Sequence, residues 1–214
     1  MNYIFIHIPK TGGTSVAQAL GKDRGYFGHN SIRQLIGNDK IVSPGLHNAL
    51  VDLAMKRDVS LEKQVMDTFS FSVVRNPWDR LVSWFFSQLT TANREYCNHY
   101  GQNFKEWVMN GHMQIHEEQV QFFGSGRVSN VFSQSEWLVD FSGKIVVDTI
   151  IRFEELETEW KSIMKKLNAE DLPHVNKSIL RNINYREHYD NEILDYIDST
   201  NIFQEDIKNF NFVF

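Results

Sequence analysis

Twice in this chain a short run of β-branched and aromatic residues stops at a turn, and a helical pattern begins at once. Residues 3–8, Tyr-Ile-Phe-Ile-His-Ile, are almost continuously apolar, as expected of a strand buried on both faces. Pro9-Lys10-Thr11-Gly12-Gly13-Thr14-Ser15 follows, and then Val16, Ala19 and Leu20 at helical spacing. A second such run, residues 69–74, ends at Arg75 and feeds a helical face made of Trp78, Leu81, Val82, Phe85, Phe86 and Leu89. A third, residues 144–153, precedes a helix over 154–167 whose stripe is Leu156, Trp160, Ile163, Met164 and Leu167. Residues 189–208 hold one or two further helices. A strand that runs straight into a helix reaches its neighbour by crossing back over the sheet, not through a hairpin. The alternation therefore predicts an α/β domain around a central parallel sheet. Residues 21–63 lack a clear period, contain Gly28, Gly37 and Gly45, and are expected to be loop-rich and near a site. No repeat, low-complexity tract or linker-like segment divides the chain, so one domain over 1–214 is the simplest organisation.

Charge and cysteine content narrow the function. Lysine and arginine total 22 against 27 acidic residues, a formal net charge of −5. That balance argues against a general nucleic-acid binder or a polybasic membrane surface, and weakens the case for a long polyanionic acceptor. Any bound anion must be held by a local pocket. Cys97 is the only cysteine, which excludes an intramolecular disulfide and a cysteine-based zinc site and fits a reducing compartment. No stretch reaches the roughly 18 apolar residues of a membrane span, and the first residues lack the basic segment of a signal peptide. A cytoplasmic protein with no membrane span is expected.

The first junction has the make-up of an anion site. Successive backbone N–H groups in a strand-to-helix turn form a nest, and the helix start adds its positive end. Gly12 and Gly13 allow close approach, Thr11, Thr14 and Ser15 bring hydroxyls, and Lys10 brings a charge for a phosphate ester. It is not the nucleoside-triphosphatase loop, in which the lysine follows the glycines and precedes a Ser/Thr for Mg²⁺; here Lys10 precedes them. A plain glycine-rich turn with capping hydroxyls is the alternative.

At the second junction, Asn76 suits the N-cap, Pro77 the first helical position and Asp79 the first turn. Arg75, at the C-terminal end of a strand, points to the crevice where open α/β sheets bind ligands. Ser83, about two turns into the helix, meets the same anion if strand and helix frame one pocket. Arg80 is expected at the surface, paired with Asp79 or another carboxylate, and Trp78 in the core.

Together, His7-Ile8-Pro9-Lys10-Thr11-Gly12-Gly13-Thr14-Ser15 and Val74-Arg75-Asn76-Pro77-Trp78-Asp79-Arg80-Leu81-Val82-Ser83 closely resemble the sulfotransferase superfamily that uses 3′-phosphoadenosine 5′-phosphosulfate (PAPS). The nearest branch looks like the carbohydrate enzymes related to heparan sulfate 2-O-sulfotransferase. Ile151-Arg152-Phe153-Glu154-Glu155-Leu156, residues 172–178 and the tail 203–214 also fit. The resemblance is least specific over 21–63 and 93–133, where acceptor recognition is expected. It implies a P-loop-like three-layer α/β domain with a mainly parallel sheet flanked by helices. Many relatives carry a membrane anchor, so a soluble bacterial or viral type is the expectation.

The resemblance implies roles. Lys10 stabilises the leaving oxygen while the backbone of Thr11, Gly12, Gly13, Thr14 and Ser15 holds the 5′-phosphate. Arg75 and Ser83 hold the 3′-phosphate. Asn176, Lys177 and Ser178 form a loop over the nucleotide, or else a surface turn. No metal is required for in-line sulfuryl transfer. A histidine would take the proton of the acceptor hydroxyl: His29 first, because relatives place one after the first helix, and His47 second. Glu117, Glu118 and Glu154 stay open as carboxylate alternatives. His7 reads as structural, His112, His116 and His174 lack metal spacing, and Gln134 is expected on the acceptor side. The acceptor is a carbohydrate or small-molecule hydroxyl, with tyrosine not distinguished from these. The competing readings are a P-loop phosphotransferase and a non-catalytic bisphosphonucleotide-binding protein.

Overall fold

The computed structural model describes residues 3–23, 25–37, 44–90, 103–112, 133–173 and 184–214. Three strands form one parallel sheet in the order β1-β2-β3: β1 Ile4–Ile6, β2 Ser70–Val74 and β3 Thr149–Arg152. Ile4 pairs with Ser70 and Ile6 with Ser72, and Val74 pairs with Arg152. Every residue of β1 and β2 is buried, which explains their near-continuous apolar character. The one hydroxyl at the centre of β2 is satisfied, since Ser72 Oγ donates to the Ile6 carbonyl at 2.7 Å.

Helices flank this sheet. After β1 come α1 Gly13–Ala19, α2 Ile32–Ile36, α3 Pro44–Arg57 and α4 Leu61–Met66. After β2 come α5 Pro77–Thr90, α6 Phe104–Trp107 with a π-helical turn Val108–His112, and α7 Ser135–Leu138. After β3 come a 3-10 turn Phe153–Glu155, α8 Leu156–Leu167, a 3-10 turn Tyr185–His188, α9 Asn191–Thr200 and α10 Gln204–Phe210. This is the α/β architecture that the strand–helix alternation predicts. Among the described residues, no helix is long and apolar enough to cross a membrane.

Two expectations need correction. The stretch 21–63 is not mainly loop, for it carries α2, α3 and α4. Helix α2 spans only five residues and is closed by a capping box between Ser31 and Gln34. Helix α3 buries Leu46, Leu50 and Ala54, a single row four residues apart and too narrow to register as an amphipathic face. The β-branched run 144–153 is also not one strand. The Asp140 carboxylate accepts from the Ser142 and Lys144 N–H groups, and Gly143 takes a left-handed φ of 82°. That turn folds Ile145 back against Val139 in an antiparallel bridge, so only Thr149–Arg152 joins the sheet.

A continuous buried cluster joins β1 and β2 to Trp160 of α8, Ile193 and Ile197 of α9, and Phe212. Trp160 is 1% exposed, and its indole N–H donates to the Glu170 carbonyl at 2.9 Å. Trp160→Ala should therefore lower stability by about 3–5 kcal/mol, measured as a fall in the urea midpoint. An unchanged midpoint would show that α8 adds little to the core.

Candidate functional site

The turn after β1 is shaped by three backbone events. Lys10 adopts a left-handed φ of 69°, uncommon for a residue with a Cβ. Thr11 is fully buried, and its hydroxyl donates to the Ile8 carbonyl at 2.9 Å, closing the turn. Gly12, at φ 83° and ψ 9°, starts α1, and its carbonyl accepts from Ser15 N–H at 3.0 Å. The Thr11 hydroxyl and the Ser15 N–H are thus engaged within the turn itself. The N–H groups of Thr11, Gly12, Gly13 and Thr14 meet no protein acceptor among the described residues. A row of backbone donors with no internal partner, at the start of a helix, is a ready receptor for an oxyanion.

Both glycines are demanded by packing. A Cβ on Gly12 would stand 2.9 Å from the Phe153 ring, and one on Gly13 about 2 Å from the His7 ring. His7 lies under the loop, stacked on Phe5 with centroids 5.5 Å apart. It is the buried structural histidine that the strand pattern predicts.

The second junction meets the first directly. Arg75, just past β2, donates from Nη1 to the Lys10 carbonyl at 3.2 Å and from Nε to Asp79 at 2.7 Å. Its guanidinium also lies 4.5 Å from the centroid of the Phe153 ring, the same ring that packs on Gly12. Nη2 has no partner among the described residues, so the pinned guanidinium keeps donors for an external anion. Asn76 caps α5 through its side-chain oxygen, which accepts from Trp78 N–H at 3.1 Å and Asp79 N–H at 3.4 Å. Asp79, read as a first-turn dipole partner, holds Arg75 as well.

Arg80 departs from its expected surface position. It is 2% exposed, donates from Nε to the Pro9 carbonyl at 2.8 Å, and lies over the Trp84 ring. Burial pushes its guanidinium down to about 10, against the opposing pull of Asp206, so it stays charged at neutral pH. The loop therefore rests on a buried cation. Gln134 departs too. It is fully buried, and its amide is bonded to the Arg75 backbone rather than turned to an acceptor.

His29 sits beside the loop. Its Nδ1 lies 2.8 Å from the His7 carbonyl, and the two imidazole centroids are 4.3 Å apart. A carbonyl only accepts, so Nδ1 carries the proton and Nε2 of the neutral ring bears the lone pair. His47 lies near the start of α3, and its buried Nδ1 has no partner among the described residues. Burial lowers its pKa and keeps it neutral. The Glu154 carboxylate accepts from Asn76 N–H at 2.7 Å, a structural anchor of the second junction. Ser83 is half-buried on α5, and its hydroxyl meets no hydrogen-bond partner among the described residues. Glu117, Glu118, His116, His174, Asn176, Lys177 and Ser178 lie outside the described residues, as does the side chain of His112.

Phe153 and Arg80 support the site in ways that sequence reasoning did not assign. So does Asp206, which is fully buried and accepts from Gln134 N–H at 2.8 Å and Ser135 N–H at 2.8 Å. Burial raises the Asp206 carboxyl and these donors draw it back down.

The strained turn supports a comparison of variants. Lys10→Gly should be more stable than Lys10→Ala by about 1 kcal/mol, because only glycine takes the left-handed conformation freely. Chemical denaturation of the two variants measures it, and equal midpoints would mean the backbone relaxes. His47 gives a pH effect. Its lowered pKa means stability is full above the usual histidine range and is lost as pH falls through the depressed value. His47→Gln should remove that acid-side loss, as melting temperatures between pH 7 and pH 5 would show.

A family model described as the sulfotransferase family matches residues 2–213. No curated protein and no solved structure matches the chain. The matched span contains both junctions and all three strands, and the chain belongs to the sulfotransferase family.

Proposed function

We propose that this sulfotransferase moves a sulfuryl group from PAPS to a hydroxyl acceptor. The observation that carries the reading is the Arg75–Lys10 contact, 3.2 Å from Nη1 to carbonyl oxygen. It joins the two anion-binding halves into one site, as a donor with separate 5′ and 3′ anionic groups requires. Bound there, PAPS supplies the sulfuryl group and leaves as adenosine 3′,5′-bisphosphate.

The chain's own residues divide the work. The N–H groups of Thr11, Gly12, Gly13 and Thr14 and the hydroxyls of Thr14 and Ser15 hold the 5′-phosphate. Arg75, through Nη2, and Ser83 hold the 3′-phosphate. The Lys10 ammonium stabilises negative charge on the departing oxygen, where a preorganised cation lowers the barrier most. His29 accepts the acceptor proton at Nε2, with the His7 carbonyl holding its tautomer through Nδ1–H. Arg80 keeps Pro9 in place beneath these groups. Asn176, Lys177 and Ser178 complete the nucleotide cover.

The acceptor is a carbohydrate or small-molecule hydroxyl, in keeping with the acidic net charge and with the motifs of the heparan sulfate 2-O-sulfotransferase-like branch. A soluble bacterial or viral enzyme of the cytoplasm, organised as one domain over 1–214, fits the lone Cys97 and the continuous core. Charge stabilisation by Lys10 and backbone N–H groups requires no metal, and activity should survive EDTA, unlike that of a magnesium-dependent phosphotransferase.

Two measurements test the assignment. Adenosine 3′,5′-bisphosphate should raise the melting temperature well above the effect of adenosine 5′-monophosphate at equal concentration, and Lys10→Ala should lose turnover at saturating PAPS while retaining bisphosphate binding. Full turnover by Lys10→Ala would remove the central role given to it. His29→Ala should lose about 10²–10⁴ in rate and still bind the bisphosphate. Protonation of the ring in acid removes its acceptor, so the wild-type rate falls toward low pH, and the variant's residual rate should lack that limb.

A further inference from the structure

The donor groups of Arg75 are held by a device that reaches into the C-terminal helix. Gln134 Oε1 accepts from Arg75 N–H at 2.8 Å, and Gln134 Nε2 donates to the Arg75 carbonyl at 2.8 Å. One side-chain amide thus pairs both backbone groups of Arg75, as a neighbouring strand would, just where β2 has run out of partners. These two bonds fix the amide orientation, because the backbone N–H only donates and the carbonyl only accepts. Gln134 Nε2 also donates to Asp206 Oδ2 at 3.1 Å, and a carboxylate only accepts. The same oxygen accepts from the Gln134 backbone N–H at 2.8 Å, so Asp206 anchors both ends of the residue that clamps Arg75. The other Asp206 oxygen is occupied by Ser135 N–H at 2.8 Å and the Ser135 hydroxyl at 2.9 Å. Every member of this chain except Arg75 is fully or almost fully buried, and a satisfied buried polar network is rigid.

We infer that Asp206, acting through Gln134, is a positioning residue that aims Arg75 and so sets the preference for a nucleotide carrying a 3′-phosphate. This rests on the reading of Arg75 as the 3′-phosphate ligand. Neither residue touches the nucleotide. Their effect is to hold the Arg75 Cα, so that the guanidinium, pinned by Asp79 and the Lys10 carbonyl, presents Nη2 from a fixed base. The 5′-phosphate half depends on the loop after β1 and makes no use of Gln134.

The test is a ratio. Gln134→Met keeps the side-chain length and removes the amide bonds. Dissociation constants for adenosine 3′,5′-bisphosphate and adenosine 5′-monophosphate are measured by calorimetry on the wild type and the variant. The bisphosphate constant should rise at least about tenfold, while the monophosphate constant stays within about twofold, since its loop contacts are untouched. A general loosening of the protein would weaken both alike and would overturn the inference. A variant as selective as the wild type would overturn the inference and leave the PAPS reading standing. Equal wild-type affinity for the two nucleotides would overturn both. Should Gln134→Met not fold, the wild type decides by amide hydrogen exchange. The Arg75 N–H should be protected and, at matched saturation, slowed further by the bisphosphate than by the monophosphate. Identical exchange with the two ligands would overturn the inference.

Discussion

The parallel pairing of β1 with β2 is the constraint on which the site depends. Ile4 opposite Ser70 and Ile6 opposite Ser72 bring the two strands to the same edge of the sheet side by side. Lys10 stands four positions past the end of one strand, and Arg75 follows the other at once. In an antiparallel pair these two cations would stand at opposite ends of the sheet. In the parallel pair, Arg75 reaches the Lys10 carbonyl, and Phe153, just after β3, fills the space between Arg75 and Gly12. All three strands thus deliver one part each to one rim, where open α/β sheets form their crevices.

That rim is kept in shape by elements that would be costly elsewhere. Lys10 is held in a left-handed backbone conformation. A buried guanidinium, Arg80, is spent on the Pro9 carbonyl. A buried carboxylate, Asp206, is satisfied by Gln134 and Ser135. Each is unfavourable in isolation, and each is stabilised by neighbours that are themselves fixed by the core. The result is a set of donors already held in place, which in the proposed sulfuryl transfer would need little rearrangement to meet charge as it develops.

His29 illustrates the same economy of means. Its imidazole is oriented by the backbone carbonyl of His7, the residue just past β1, and lies against the His7 imidazole, whose own position is dictated by Gly13 above it and Phe5 behind it. A histidine at the end of the first strand run, a helix-start glycine and a histidine from the segment after α1 are mutually dependent. Replacement of any one of them is felt at the other two.

What the sequence by itself determined is local. The strand–helix alternation, the glycines after Lys10, the Asn76 cap with Pro77 behind it, and the burial of Trp78 all follow from residues within a few positions of one another, where propensity and turn chemistry act directly. The pair of motifs also identified the family. The tertiary structure alone decided the rest. Arg80 looked like a surface partner of Asp79, and only the packing of α5 under the loop, 71 residues away at Pro9, buries it. Gln134 is clamped to Arg75 across 59 residues and to Asp206 across 72. The run 144–153 is divided because its start, Ile145, is bridged back to Val139 and only Thr149–Arg152 reaches the sheet. Such contacts leave no periodic trace, because a buried polar side chain is set by which groups the fold leaves unpaired beside it, and that is known only once the chain has closed around them.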